Sequence, residues 1–326
     1  MKYLFYPGCS LHSTSSAYLD SLHAIEGKLG FELSEVEDWN CCGANEYIAL
    51  HRIPSYALIA RNLALAEEQQ NGAQTLVAAC SACYVNLART AKYMGTDKEL
   101  NARVNDALGA GGMHYTAGSV EVRHILDLMC NKLGACKIKK MVERPLSGLR
   151  VAPYYGCMVL RPDPDNRWRD PESPTALEEL ILATGADLVD FPLRTHCCSG
   201  HMPQITTETS LDLIRRLVEG AVKSGADLLI TTCPLCQLNI DGYQAQMNKF
   251  FGTSYSMPII FFTQLIGLAF GLSPKAVGIG KEIVSAAPAL ARIGVKEEAA
   301  PVTSRRPPKD TGLPMPRMPK AYGDEL

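Results

Sequence analysis

The chain carries almost no excess charge of either sign. Its 32 Lys and Arg stand against 34 Asp and Glu, a net charge of -2. That balance excludes the basic footprint of a nucleic-acid binder or a polybasic membrane-surface protein. Long apolar runs are missing as well. The start, MKYLFYPGCS, has one Lys and a short apolar stretch ended by Pro7-Gly8. It lacks the apolar core and the small-residue cleavage site of a secretory signal, so a cytoplasmic protein is expected. Between Phe250 and Pro274 there is no charged residue, but the apolar part, Met257 to Leu272, is only 16 residues. Pro258, Thr263-Gln264 and Gly267 interrupt it. A spanning helix needs about 20 apolar residues, so no membrane span is expected. The segment reads as a buried core helix, with a membrane-surface contact as the alternative. Nucleotide-cradling glycine loops are also missing. The nearest string, Gly109-Ala110-Gly111-Gly112, has His114 where a dinucleotide motif needs its last glycine. Nicotinamide and flavin therefore have no visible site, and electrons are expected from another subunit.

Cysteine is the residue present in excess. Twelve in 326 residues are too dilute for a small disulfide scaffold and too many for an ordinary cytosolic enzyme. With Cys130 and Cys136 set aside, the other ten form one pattern written twice. Cys9, Cys41, Cys42, Cys80 and Cys83 are answered by Cys157, Cys197, Cys198, Cys233 and Cys236, at offsets of 148, 156, 156, 153 and 153 residues. The flanks repeat too. Tyr6-Pro7-Gly8-Cys9 matches Tyr154-Tyr155-Gly156-Cys157. Asn71 to Leu87 matches Ser224 to Ile240 without a gap, with Gly, Ala, Leu, both Cys and Asn identical, six of 17 positions. The chain is two copies of one module. The expected division is 1–146 for the first, 147–293 for the second, and 294–326 for a C-terminal tail. That tail holds six prolines between Pro301 and Leu326, together with Arg305-Arg306 and Lys309. It reads as an extended or disordered end. The sharper alternative is a strap that docks on a partner subunit.

Within each copy strands and helices alternate. Tyr3 to Tyr6 and Val151 to Tyr155 read as buried strands. Thr75 to Ala79 and Leu228 to Thr232 read as strands that deliver the CxxC turns. Ala17 to Leu29, with Ser15-Ser16 as capping candidates and Gly30 just beyond, reads as a helix. So does Ser55 to Asn71, stopped by Gly72. The pattern predicts an α/β module with parallel pairing, its cysteines converging on one sheet edge.

Thiolate is a soft ligand that favours zinc, copper(I) or iron–sulfur. A closed zinc site needs four ligands, and each copy offers five. Neighbouring side chains in an extended segment point apart. Both members of a Cys-Cys doublet can serve one centre only if the backbone turns sharply, which Gly43 and Gly200 would permit. An adjacent pair does not easily bridge to itself, and a reducing compartment disfavours disulfides elsewhere.

The twice-written C-x31–39-CC-x34–37-CxxC, with YPGC at the start and the helical run VRHILDLM after the first CxxC, resembles the B subunit of heterodisulfide reductase, which is built of cysteine-rich CCG domains. The resemblance covers roughly residues 1–290. It implies an α/β fold of two pseudo-twofold related CCG modules with short parallel sheets flanked by helices. It implies two noncubane 4Fe–4S clusters, one held by Cys9, Cys41, Cys42, Cys80 and Cys83, the other by Cys157, Cys197, Cys198, Cys233 and Cys236. It implies one component of an oxidoreductase that acts on sulfur groups, reducing or forming a disulfide such as that of coenzyme M and coenzyme B. A ferredoxin-like 4Fe–4S protein of the heterodisulfide reductase C type and a flavin protein of the A type would carry the electrons, as further subunits. One alternative is the similar component of a bacterial sulfur-oxidising heterodisulfide reductase-like complex, working on lipoate- or protein-bound sulfane. Another is an electron-transfer module to quinone without substrate chemistry. The second doublet departs from the pattern, with Ser199 where the motif has glycine.

His12, His196 and His201 lie within three residues of these cysteines and are the candidate proton donors. Orienting the backbone or neighbouring groups around sulfur is their other possible role. His124, placed on an apolar helix face, reads as structural. Cys130 and Cys136 read as inert buried thiols.

Overall fold

The computed structural model describes residues 1–44, 47–70, 73–161, 167–168 and 170–295. The proline-rich segment lies outside the described residues. Two four-stranded, all-parallel sheets carry the fold. The first contains β1 (Lys2–Tyr6), β2 (Glu32–Glu35), β3 (Thr75–Ala78) and β4 (Glu121–His124), in the order β2-β1-β3-β4. The second contains β5 (Arg150–Tyr154), β6 (Asp187–Leu188), β7 (Leu228–Thr231) and β8 (Ile259–Phe261), in the order β6-β5-β7-β8. The sequence repeat is thus a repeat of topology. Register follows it, with Leu4 opposite Leu76 in one sheet and Ala152 opposite Leu229 in the other. The central strands are continuous apolar runs because helices cover both faces.

The two halves interlock through reciprocal helix contacts. The helix after β8 (Phe262–Ala269) packs on the first half's helix Ser16–Leu29. Ser21 Oγ meets Thr263 Oγ1 at 2.6 Å, and Tyr18 stacks on Phe261 with centroids 4.2 Å apart. In return, the helical segment after β4 packs on the second half's helix Ala176–Ala183, where the Cys130 thiol donates to the Ala176 carbonyl at 3.5 Å. All of Phe262–Ala269 is buried. The strand and helix part of the uncharged stretch, Ile259 to Ala269, is therefore core, while Phe250 at its start is 51% exposed. Among the described residues no helix is long and apolar enough to cross a membrane.

Several local expectations need correction. The helix placed from Ser55 spans Arg52–Glu68. Pro54 sits in its first turn, where its missing N–H costs nothing. Ser15 precedes the first helix without a side-chain cap, while Gly30 ends it at φ +73°. The run VRHILDLM is not one helix. Val122, Arg123 and His124 belong to β4, and the helix begins only at Ile125. His124 therefore closes a strand, its Nδ1 accepting the Leu126 N–H at 3.1 Å. Cys136 is exposed, not buried, on the helix Ala135–Lys140. Cys130 is half-buried, and desolvation pushes its thiol well up.

Candidate functional site: two facing thiol sets

All ten repeated cysteines stand beyond the carboxyl ends of parallel strands. Cys9 follows β1, Cys41 and Cys42 follow β2, and Cys80 and Cys83 follow β3; the second half repeats this after β5, β6 and β7. In the order β2-β1-β3-β4 the chain reverses direction of travel between β1 and β3, the crevice where parallel α/β sheets place their sites. Each CxxC begins at a helix start. Cys80 precedes the helix Ser81–Thr96, and Cys233 precedes Pro234–Gly242.

Three devices, each present twice, shape these loops. The first is a left-handed pair after the Cys-Cys doublet. Gly43 and Ala44 have φ of +76° and +50°, and Ser199 and Gly200 have +79° and +56°. The sharp turn inferred from Gly43 and Gly200 is present in both copies, but glycine fills a different one of its two positions in each. The second is a buried amide. Asn86 Nδ2 donates to the Cys42 carbonyl at 3.2 Å and to that of Ala44. Asn239 Nδ2 donates to the carbonyls of Cys198 at 3.1 Å and Gly200 at 2.7 Å. The third is a buried tyrosine, which fixes the chain just before the doublet. Tyr6 donates to the Asn40 carbonyl at 2.7 Å, and Tyr154 to that of His196 at 2.8 Å.

Sequence reasoning assigned no role to these asparagines and tyrosines. The signal was available, since both lie at matching positions of the two copies. Replacing Asn239 by alanine leaves two buried carbonyls without their donor, at a cost of about 1–3 kcal/mol. Chemical denaturation should show that loss. An unchanged unfolding midpoint would mean that the doublet turn holds without the amide.

Gly8 and Gly156 form cradles. Both have positive φ, +70° and +69°. A methyl group at Gly8 would stand 2.9 Å from Cys83 Sγ, and one at Gly156 would stand 2.8 Å from Cys236 Sγ. The glycine before the first cysteine thus leaves room for the last sulfur of its own set.

The thiols touch in sequence. Cys42 Sγ lies 3.4 Å from Cys83 Sγ. Cys41 is within hydrogen-bond reach of Cys42, Cys80 of Cys83, and Cys198 and Cys233 of Cys236. Cys80 and Cys233, both free thiols, approach each other across the two halves. One run of sulfur therefore passes from Cys41 to Cys198. Cys157 and Cys197 pair beside it. Cys9, exposed, lies near Cys41.

Protons are shared unevenly along this run. Hydrogen bonds from Cys41 and then Cys83 hold Cys42 down to about 3. Those from Cys236 and Cys80 hold Cys233 well below the thiol range. Cys157 holds Cys197 at about 6. Their partners Cys41, Cys83, Cys80, Cys236 and Cys157 are pushed up in turn. Among the described residues no three Cys, His, Asp or Glu side chains converge on a point suited to a single metal ion. Five soft thiols per half, three of the ten already poised as thiolates, suit iron–sulfur binding.

A cavity of about 340 Å³ opens onto the second set. Cys157, Cys197, Cys198, Cys233 and Cys236 all line it, and Ser81 and Ala82 of the first half's CxxC turn close one side. Met158, Met202, Ile205 and Leu235 make much of the remaining wall apolar. His201 lines this cavity. His196 instead faces a groove of about 350 Å³ that also reaches Cys197, alongside Arg215 and Arg216. His12 is exposed, bonded to Glu35 at 3.0 Å and stacked on Trp39. The structure thus separates the three candidate histidines and leaves one, His201, in the cavity.

Comparison with known proteins agrees with this architecture. The cysteine-rich domain family, CCG, matches residues 3–88 and 151–241. The chain is 32% identical over 285 residues to the 8-methylmenaquinol:fumarate reductase membrane anchor subunit of Wolinella succinogenes, covering 87% of this chain and 98% of that protein. It is 33% identical over 269 residues to the B subunit of the ferredoxin:CoB-CoM heterodisulfide reductase of Methanosarcina mazei, covering 82% and 88%. Among solved structures, a hypothetical protein from Helicobacter pylori shares the fold with a TM-score of 0.69 at 14% identity, covering 87% of this chain and 52% of that one. The chain belongs to the B-subunit family of heterodisulfide reductases, with two copies of the cysteine-rich CCG domain.

Proposed function

We propose that this protein is the iron–sulfur subunit of a heterodisulfide reductase-like complex, and that it reduces or forms a disulfide in the cavity beside the second thiol set. The observation that carries this reading is the cavity itself, walled by five thiols of one half and the CxxC turn of the other. Cys9, Cys41, Cys42, Cys80 and Cys83 would hold one noncubane 4Fe–4S cluster, and Cys157, Cys197, Cys198, Cys233 and Cys236 the other. When bound, such clusters supply single electrons and soft iron sites for sulfur. The chain's own residues do the rest. Met158, Met202, Ile205 and Leu235 give the cavity an apolar wall beside the sulfur atoms. Cleaving one S–S bond consumes two electrons and two protons. His201 gives one proton to a departing thiolate sulfur, and solvent at the mouth of the cavity gives the other. The electrons come from a ferredoxin-like 4Fe–4S subunit, with a flavin subunit behind it. The reading places the protein in the reducing cytoplasm, where thiols persist.

A second reading is favoured by the Wolinella relative, a fumarate reductase subunit matched over 98% of its length. In it the chain relays electrons to or from quinone and performs no sulfur chemistry. One experiment separates the two. Anaerobically purified protein should hold about eight irons and matching acid-labile sulfide, as two 4Fe–4S clusters require. Adding thiols, disulfides or a lipoate persulfide to the oxidised protein should then produce a new paramagnetic signal. Zinc in place of iron would sink both readings, and full iron with no response to any sulfur compound leaves only the relay.

A further inference from the structure

The two halves differ at one buried position inside the cavity. Ser199 occupies the left-handed place that glycine fills in the first half. Its φ of +79° matches the +76° of Gly43. A serine in that region is strained, and such strain persists where its surroundings enforce it. Ser199 is 2% exposed and lines the cavity with the five thiols.

Its hydroxyl is enforced from two sides. Ser210 Oγ lies 2.6 Å from Ser199 Oγ, and Asn239 Nδ2, whose protons go to the Cys198 and Gly200 carbonyls, stands 3.5 Å away on another side. Ser210 is the fourth residue of the helix Thr207–Lys223. Its counterpart is Ser55, the fourth residue of Arg52–Glu68. Ser55 donates to the carbonyl one turn back, that of His51, at 2.6 Å. Ser210 has turned from the matching bond to Ser199, its one side-chain partner among the described residues. Ser210 is fully buried, so its proton goes to that partner. Ser199 then accepts the Ser210 proton, and its own proton is left free for an acceptor in the cavity that Ser199 lines.

We propose that Ser199 is a substrate-binding hydrogen-bond donor, one that holds the anionic sulfur of a thiolate at the second half and has no counterpart in the first. It rests on the disulfide reading above and makes the site one-sided. Of the two sulfurs of a cleaved disulfide, the more anionic is held next to Ser199.

The test compares Ser199→Gly, Ser199→Asn and Ser210→Ala in cluster-loaded protein. The binding of 2-mercaptoethanol to the oxidised form is followed by visible absorption and by paramagnetic resonance. Ser199→Gly restores the residue of the first half and relieves the left-handed strain. Its iron content should equal wild type, and the melting temperature of its apo form should stay level or rise. Its affinity for the thiol should fall about tenfold or more, as expected for a lost hydrogen bond to a charged group. Ser199→Asn tolerates the left-handed region and still carries a donor, so it should recover much of the affinity. Ser210→Ala should weaken binding less than Ser199→Gly. Equal thiol affinity in wild type and Ser199→Gly overturns the proposal. So does loss of iron in Ser199→Gly, because the hydroxyl would then build the turn, not bind sulfur. A wild-type protein that holds iron but binds no thiol refutes the disulfide reading, an outcome distinct from equal affinities.

Discussion

Gly156→Ala should cost the protein about half of its iron and sulfide. The new methyl group would stand 2.8 Å from Cys236 Sγ, at a backbone φ of +69° that side chains other than glycine rarely adopt. The left-handed conformation costs about 1–2 kcal/mol and the overpacking about 1–3 kcal/mol more. The local backbone cannot yield freely. Tyr154, two residues earlier, is pinned to the His196 carbonyl, and the Gly156 N–H donates to the Arg194 carbonyl at 3.2 Å. Cys236 must therefore move, and with it the last sulfur of the second set. Gly8→Ala should do the same to the first set through Cys83, at 2.9 Å. Iron and labile-sulfide determination on both variants, with spectra of what remains, tests the pair. Full iron in Gly156→Ala would falsify the claim that the glycine makes room for a ligand sulfur.

His124→Phe should remove a pH dependence from the stability of the apo-protein. His124 is fully buried, and desolvation lowers its pKa from the ordinary 6.5 to about 4, against the upward pull of the Cys233 thiolate and the Ala79 carbonyl. The folded state keeps it neutral, while the unfolded chain takes up a proton below about pH 6.5. The stability it allows is complete above that pH and is lost as pH falls toward 4. The loss over that window is about 3 kcal/mol. Phenylalanine is the natural replacement, because Phe261 closes β8 where His124 closes β4. Urea unfolding of both proteins at pH 7 and pH 4.5 should show a smaller decline for the variant. Equal declines would mean that His124 is protonated inside the fold without penalty.

Much of this arrangement was legible because the chain is written twice. Two copies of the cysteine pattern, with matched apolar runs before each CxxC, determine the strand that delivers the turn and the helix that follows it. Errors arose where local pattern is ambiguous. Val122-Arg123-His124 runs into Ile125 without a glycine or proline, so a four-residue strand and the next helix share one apolar stretch. The helix expected from Ser55 begins three residues earlier, at Arg52, because a helix accepts Pro54 in its first turn. The contact between Cys80 and Cys233 had no local signal at all. It joins residues 153 positions apart through the packing of one half on the other.

The reciprocal helix packing bears on ancestry. The helix that follows β8 in the second half lies on the first helix of the first, and the first half answers in kind against Ala176–Ala183. Neither half covers its own apolar surface. A lone ancestral copy would have left that surface bare, and a second copy of itself offers the matching one. The present chain thus makes within one polypeptide the kind of two-fold packing that a homodimer makes between two, and its halves need not stay identical. Ser199, at the position where the other half has Gly43, is a place where the two sides of the site differ.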